Sequence, residues 1–115
     1  MTAPPNKTLD PDDWQALRAQ GHRMLDEILD YAEQIRERPV WQPIPDEVRA
    51  KFQSGLPAAP TELGDVHQQF MENILPYSVS NSHPGFMGWV QGGGNPVGTL
   101  AEMLAAGLNA IRVLS

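Results

Sequence analysis

Residues 10–38 read DPDDWQALRAQGHRMLDEILDYAEQIRER, and this stretch decides the fold of the chain. Asp10 is a suitable N-terminal cap, Pro11 suits the first helical position, and two further acids favour the positive end of a helix dipole. Apolar side chains then recur three and four residues apart, as on one face of an α-helix. The most prominent of them are Trp14, Leu17, Met24, Leu25, Ile28, Leu29 and Ile35. The pattern predicts one long amphipathic helix over residues 10–38.

This apolar stripe is longer than anything else in the chain can cover. At 1.5 Å per residue the predicted helix measures roughly 40 Å. The later segments are shorter and broken by proline and glycine. A partner molecule is therefore needed to bury the stripe.

The next segment, residues 39–60, contains five prolines and is predicted to be an extended crossing over the surface. A short helix at about residues 46–53 interrupts it. The preceding residues 1–9 are polar and contain proline, and we expect them to be a disordered tail.

Residues 61–110 are predicted to form a helix, an irregular loop and a second helix. Thr61 is the expected cap of the first helix, which Pro76 ends. Asn95 and Pro96 start the second helix by the same cap-and-proline logic. The fold class predicted from these signals is therefore all-α, with an irregular glycine-rich loop between the last two helices.

Composition excludes several classes of function. The formal net charge is −6 and the eight Lys and Arg residues are scattered, which disfavours nucleic acid and a membrane surface as partners. The chain has no cysteine, so disulfides and thiolate metal sites are excluded. No apolar run approaches the roughly 20 residues that span a bilayer, and no signal peptide is visible. A cytoplasmic location is predicted.

No set of residues with the spacing of a catalytic or metal site is visible. His22 and His67 have no second ligand at a metal-binding spacing and are expected at the surface or its boundary. No serine lies in a nucleophile elbow. His83 precedes Pro84, which favours an extended conformation there. It is a candidate for a loop contact, with an ordinary loop histidine as the alternative.

Three consecutive glycines, residues 92–94, precede the last predicted helix. Bare backbone N–H groups before a helix N-terminus suit an anion or a carboxylate. A flexible hinge in front of a well-capped helix is the alternative that sequence alone favours, because short glycine runs are weak phosphate motifs.

Two longer motifs carry a family resemblance. Residues 83–90 read HPGFMGWV, and residues 95–110 read NPVGTLAEMLAAGLNA. With the helix, proline-rich crossing and proline-ended helix before them, they resemble the N-terminal region of group II pyridoxal-phosphate-dependent amino-acid decarboxylases, the aromatic-L-amino-acid and glutamate decarboxylase family. The resemblance covers about residues 10 to 110.

The resemblance implies the helical N-terminal arm of a fold-type-I enzyme, a carboxy-lyase that acts as a homodimer on an amino-acid substrate. It assigns the seven apolar stripe residues of the first helix to dimer contacts. By position it also implies a substrate-side loop, formed by Trp89, Val90, Gln91 and Gly92. The segment Gln91–Gly94 departs from the aromatic branch, which has a larger, more hydroxyl-rich stretch there.

The family's catalytic residues are expected after the end of this chain. In the family, the cofactor lysine and its neighbours lie in the large domain, whereas the lysines here, Lys7 and Lys51, fall in a tail and a linker. Residues 111–115 also diverge from the family's continuation. The chain is therefore expected to be truncated before the cofactor domain and inactive alone, without stable binding of pyridoxal phosphate. The alternative is a stand-alone helical protein-interaction module.

Overall fold

A computed structural model describes residues 8–80, 82–87 and 94–109 of the chain. These residues form helices and no strand, which confirms the all-α prediction for this part of the molecule. The α-helices are α1 (Trp14–Glu33), α2 (Asp46–Lys51), α3 (Leu63–Asn73) and α4 (Pro96–Leu108). Single 3-10 turns follow α1 at Ile35–Glu37 and α3 at Leu75–Tyr77.

The first helix begins later than its sequence signals suggest. Asp13, not Asp10, is the cap, and its Oδ1 accepts hydrogen bonds from the backbone N–H groups of Gln15 and Ala16 at 3.0 and 3.1 Å. Asp10 instead donates its own backbone N–H to Thr8 Oγ1. Both aspartates suit a helix start, and the one next to the apolar stripe is used.

The other helix starts differ in how they are capped. Asn95 caps α4 as predicted, since its Oδ1 accepts the Gly98 N–H at 2.7 Å and Pro96 is the first helical residue. α3 has Glu62 at the cap position, with no side-chain capping bond, so the Thr61 cap expected from sequence is not formed. α4 ends at Asn109, which adopts a left-handed conformation with φ of 46°.

A polar cluster joins α1 to α3. Gln20 is only 8% exposed, and its Nε2 donates to Nδ1 of His67 on α3 at 2.9 Å. Its Oε1 accepts a hydrogen bond from Arg23, while His67 Nε2 donates to Glu27 at 2.6 Å. Gly64 lies next to this cluster, and a Cβ there would lie at an ordinary contact distance of 3.4 Å from Gln20 Oε1. We call Gln20, Arg23, Glu27 and His67 the α1–α3 clasp.

Apolar burial is small. Among the described residues the buried hydrophobic side chains are Ile35, Val48 and Leu75, and none of them is fully enclosed. The radius of gyration is 18.4 Å, against about 13 Å for a compact domain of this length. The clasp thus joins α1 to α3 with little buried apolar surface beside it.

Replacing Gln20 by Ala should destabilise the chain by about 1–3 kcal/mol, because it leaves His67 Nδ1 and the Arg23 guanidinium without a partner. Urea unfolding followed by circular dichroism would measure the loss. Gln15→Ala is the matched control, since Gln15 is exposed on the same helix and its side chain has no described hydrogen bond. Equal unfolding midpoints for the two variants would contradict the role given to the clasp.

Candidate functional site

His83 links the start of the irregular loop to Arg38, which follows the 3-10 turn after α1. The Nε2 atom of this half-buried side chain donates to the Arg38 carbonyl oxygen at 2.6 Å, and Nδ1 accepts the Gly85 N–H at 2.9 Å. A neutral imidazole with its proton on Nε2 satisfies both bonds at once. Both ring nitrogens of His83 are thus engaged with the backbone, one at Arg38 and one within the loop.

Gly85 is required by the tight packing at this junction. A Cβ added to it would lie 2.7 Å from Val40 Cγ2 and 3.2 Å from His83 Nδ1. The neighbouring crossing segment is tied down as well, because Gln42 Nε2 donates to the Pro76 carbonyl oxygen at 2.7 Å. The end of α1, the crossing segment and the end of α3 thus meet at the loop's first residues.

The four predicted substrate-side residues, Trp89, Val90, Gln91 and Gly92, lie outside the described residues, and so does most of the triple glycine. What the structure does define is the residues on either side of them. Residues 82–87 are fixed by the His83 junction, and Gly94 leads into the capped start of α4.

A cleft separates the second half of α1 from the start of α4. Its volume is about 480 Å³, and its α1 wall is apolar, formed by Ile28, Leu29 and Ala32. The opposite wall carries Ser82 and Thr99, among other residues. Arg36 also lines the cleft. Sequence reasoning did not find this cleft, since its walls come from segments more than 40 residues apart.

The seven residues assigned to dimer contacts differ in exposure. Trp14 and Leu17 are exposed, at 54% and 36%. Four others are half-buried, namely Met24, Leu25, Ile28 and Leu29. Ile35 is only 8% exposed because it packs inside the chain, beside Tyr31 and Leu75. Six of the seven are therefore accessible to a partner.

No described group of residues is placed to bind a metal or to form a Schiff base. The described part of the chain contains no cluster of three or more His, Asp or Glu side chains suited to a metal ion. Lys51 is exposed and its Nζ donates to Asn73 Oδ1 at 3.4 Å, whereas Lys7 lies outside the described residues. A cofactor lysine needs a desolvated, positioned amine, and Lys51 does not provide one. None of the described helices has the length and apolar character needed to cross a membrane.

Comparison with known proteins gives a consistent result. Tyrosine decarboxylase 4 of Petroselinum crispum is 30% identical over 108 residues, which cover 93% of this chain and 21% of that protein. The chain matches the N-terminal region of group II pyridoxal-phosphate decarboxylases. Phenylacetaldehyde synthase of Arabidopsis thaliana is 32% identical over 106 residues, or 91% of this chain and 22% of its own.

The chain is also similar to a decarboxylase that is named for a different amino acid. Tryptophan decarboxylase 2 of Oryza sativa subsp. japonica is 28% identical over 104 residues, which are 90% of this chain and 21% of that protein. The chain thus spans about a fifth of the length of the curated relatives it matches. No protein-family model matches the chain, and no solved structure matches it significantly.

Gly85→Ala should destabilise the loop junction by about 1–3 kcal/mol, the usual cost of overpacking a tight contact. Urea unfolding followed by circular dichroism measures it. Gly55→Ala is the matched control, because a Cβ at Gly55 meets nothing within 4 Å. Adding Val40→Ala to Gly85→Ala removes the closest clash and should restore part of the lost stability. An unfolding midpoint for Gly85→Ala equal to that of Gly55→Ala would refute the close packing.

Proposed function

We propose that this chain is the N-terminal part of a pyridoxal-phosphate-dependent amino-acid decarboxylase, a cytoplasmic carboxy-lyase, in which it supplies dimer contacts and a loop beside the substrate. The observation that carries the proposal is the similarity to tyrosine decarboxylases over 93% of the chain. Because the matched relatives are named for aromatic amino acids or their products, we propose an aromatic amino acid as the substrate class.

The loop contribution rests on how the flanks of residues 88–93 are held. On one side, His83 bonds to the backbone of Arg38, and Gly85 packs against Val40. On the other, the Asn95 cap sets the start of α4. Loops that carry binding residues are commonly positioned in this way by a rigid scaffold on either side. Trp89, Val90, Gln91 and Gly92 are the residues we propose for contacts with the substrate.

The dimer contribution rests on surface area. The chain, of 12.7 kDa, exposes 10324 Å², whereas a compact monomer of that mass exposes about 6,200 Å². Among the described residues of α1, Trp14 and Leu17 are exposed, and Met24, Leu25, Ile28 and Leu29 are half-buried. We propose that a two-fold pair of α1 helices buries these apolar side chains.

The outer face of α4 is a second exposed apolar surface, and we propose a different packing partner for it. Val97, Leu104 and Leu108 are 70–76% exposed, and Glu102 is the only charged residue of this helix. Its contacts with the other described helices are few. In the proposed complete enzyme, the outer face of α4 packs against parts of the protein that lie outside the fifth matched by this chain.

To test the proposed activity, the coding sequence is read beyond codon 115. The complete protein that it encodes is then assayed with tyrosine and with tryptophan as substrates. We expect amine and carbon dioxide in the presence of pyridoxal phosphate. The 115-residue chain alone should release neither, and borohydride should fix no pyridoxal phosphate on Lys51. A reading frame that encodes no further domain would overturn the proposal and leave the helical interaction module. Specific labelling of Lys51 would overturn the assignment of cofactor binding to another part of the enzyme.

Replacing Leu25 and Ile28 together by Gln should convert a dimer of this chain to a monomer and lower its helix content. Burying each such side chain is worth roughly 1.5–3 kcal/mol, a large share of a typical domain's stability. Sedimentation equilibrium and circular dichroism measure the two effects. Asp26→Asn with Asp30→Asn is the control, because both residues are exposed on the far side of α1. A wild-type chain that stays monomeric at high micromolar concentration with full helix content would rule out the pairing.

A further inference from the structure

Arg38 is held at two places by two different residues. Its carbonyl oxygen accepts the hydrogen bond from His83 Nε2 at 2.6 Å, and its guanidinium carbon lies over the Tyr31 ring, 5.0 Å from the ring centre. An arginine within about 6 Å of the centre of an aromatic ring is attracted to the face of that ring. Tyr31 on α1 therefore contacts the side chain of the same residue whose backbone holds the start of the loop.

The way α1 ends leaves the Arg38 carbonyl oxygen available to His83. The 3-10 turn after α1 is closed by a hydrogen bond from the Arg38 N–H to the Ile35 carbonyl oxygen at 3.2 Å. The backbone of Arg38 is extended, with φ of −95° and ψ of 151°. Carbonyl groups at the end of a helix lack a helical donor, and this one accepts its hydrogen bond from the imidazole. The position of the Arg38 peptide group thus sets where His83 is held.

The ring of Tyr31 is the described partner of the Arg38 guanidinium. The acidic residues nearest to Arg38 in sequence are Glu33 and Glu37, and both are exposed. Within the described ranges, neither carboxylate forms an ion pair with Arg38. Arg36, the other cation nearby in sequence, lines the cleft beside α4. Exposed carboxylates attract a neighbouring cation only weakly, so the contact with the ring is what fixes the Arg38 side chain.

The Tyr31 ring and the His83 imidazole also belong to one closely packed junction. Together with Arg38, Val40 and Gln42, among others, they line a cavity of only about 20 Å³, which has room for about one water molecule. Tyr31 is half-buried and also lines the larger cleft beside α4. Loss of the ring would therefore remove the partner of Arg38 and give Arg38 room to move.

We propose that Tyr31 is a positioning residue for the substrate-side loop. Its ring holds the Arg38 side chain, and the Arg38 carbonyl oxygen holds His83 in one tautomer. His83 in turn accepts the N–H of Gly85 and so fixes the first residues of the loop. The link to a substrate rests on the proposed function, whereas the effect of Tyr31 on His83 is a property of this chain alone.

The experiment determines the tautomer of His83 in the 115-residue chain by proton–nitrogen NMR of the imidazole, at mildly alkaline pH, where histidine side chains are neutral. The wild-type ring should carry its proton on Nε2, which donates to Arg38, while Nδ1 accepts from Gly85. Tyr31→Leu should reduce the preference for this tautomer by about two- to fivefold, the factor that corresponds to one partly exposed cation–π contact. Arg38→Met keeps the backbone carbonyl and should have the same effect.

Three further variants isolate the ring–guanidinium contact. Tyr31→Phe keeps the ring and should restore the wild-type tautomer preference. Tyr77→Leu is the matched control, because Tyr77 is also half-buried but neither lines the 20 Å³ cavity nor contacts a described cation. The double variant with Tyr31→Leu and Arg38→Met should behave like either single variant, since both changes remove the same contact.

Each contrary result overturns a defined statement. An unchanged tautomer in Tyr31→Leu and Arg38→Met would overturn the inference, and so would effects that add in the double variant. A changed tautomer in Tyr31→Phe would assign the role to the hydroxyl and overturn the contact through the ring. If circular dichroism shows that Tyr31→Leu has lost its helices, Arg38→Met decides the question, because Arg38 lies outside the helices.

The link to substrate has its own measurement in the complete protein. Tyr31→Leu should raise KM for tyrosine or tryptophan by about two- to fivefold with little change in kcat, because a loosened loop weakens substrate binding. A general loss of stability would lower the amount of active enzyme and leave KM unchanged. A shifted tautomer with an unchanged KM would overturn the positioning role, while the proposed function stands. A complete protein without decarboxylase activity would overturn the proposed function, and the NMR result would still decide the effect of Tyr31 on His83.

Discussion

Side-chain hydrogen bonds across half-buried junctions hold the described helices together, because these residues bury too little apolar surface to form a core. Gln20 and His67 link α1 to α3, Gln42 links the crossing segment to the end of α3, and His83 links the loop to the end of α1. A single hydrogen bond contributes modestly to stability, but leaving its buried partner unsatisfied costs more. The arrangement of the described helices therefore depends on a few polar residues whose partners are far away in sequence.

Two of these junctions involve α1 or the turn that follows it, which gives this part of the chain two connected roles. The side of the helix that carries Gln20 is occupied by α3, so the neighbouring apolar sector around Leu25 stays available to a partner. Just beyond the same helix and its 3-10 turn, the Arg38 carbonyl oxygen accepts the hydrogen bond of His83 that holds the loop. Any partner that packs against α1 consequently acts on the element that also positions the loop. In the proposed enzyme this connects subunit pairing with the geometry of the substrate-side loop.

The chain exposes apolar surface on two helices, and it matches only a part of the length of its relatives. Both findings fit the proposal that it belongs to a larger enzyme. In the proposed enzyme, a segment that matches about a fifth of its relatives would be one layer of a larger structure, and a layer buries its apolar face only against another layer. In α1 that face is continuous with the cleft, whereas in α4 it points away from the other described helices. In the proposed enzyme a second copy of the chain covers the face of α1, and further parts of the enzyme cover the face of α4.

The sequence by itself determined the helices, the α4 cap at Asn95 and the apolar stripe, because each depends on residues within a few positions of one another. It placed the cap of α1 at Asp10, whereas the structure uses Asp13, a residue of the same type three positions later. Only the tertiary structure decided that His67 is part of the clasp, since its partner Gln20 lies 47 residues away. The tertiary structure also revealed the cleft beside α4 and the need for glycine at position 85. Both arise from contacts between segments distant in sequence, which no local pattern of side chains encodes.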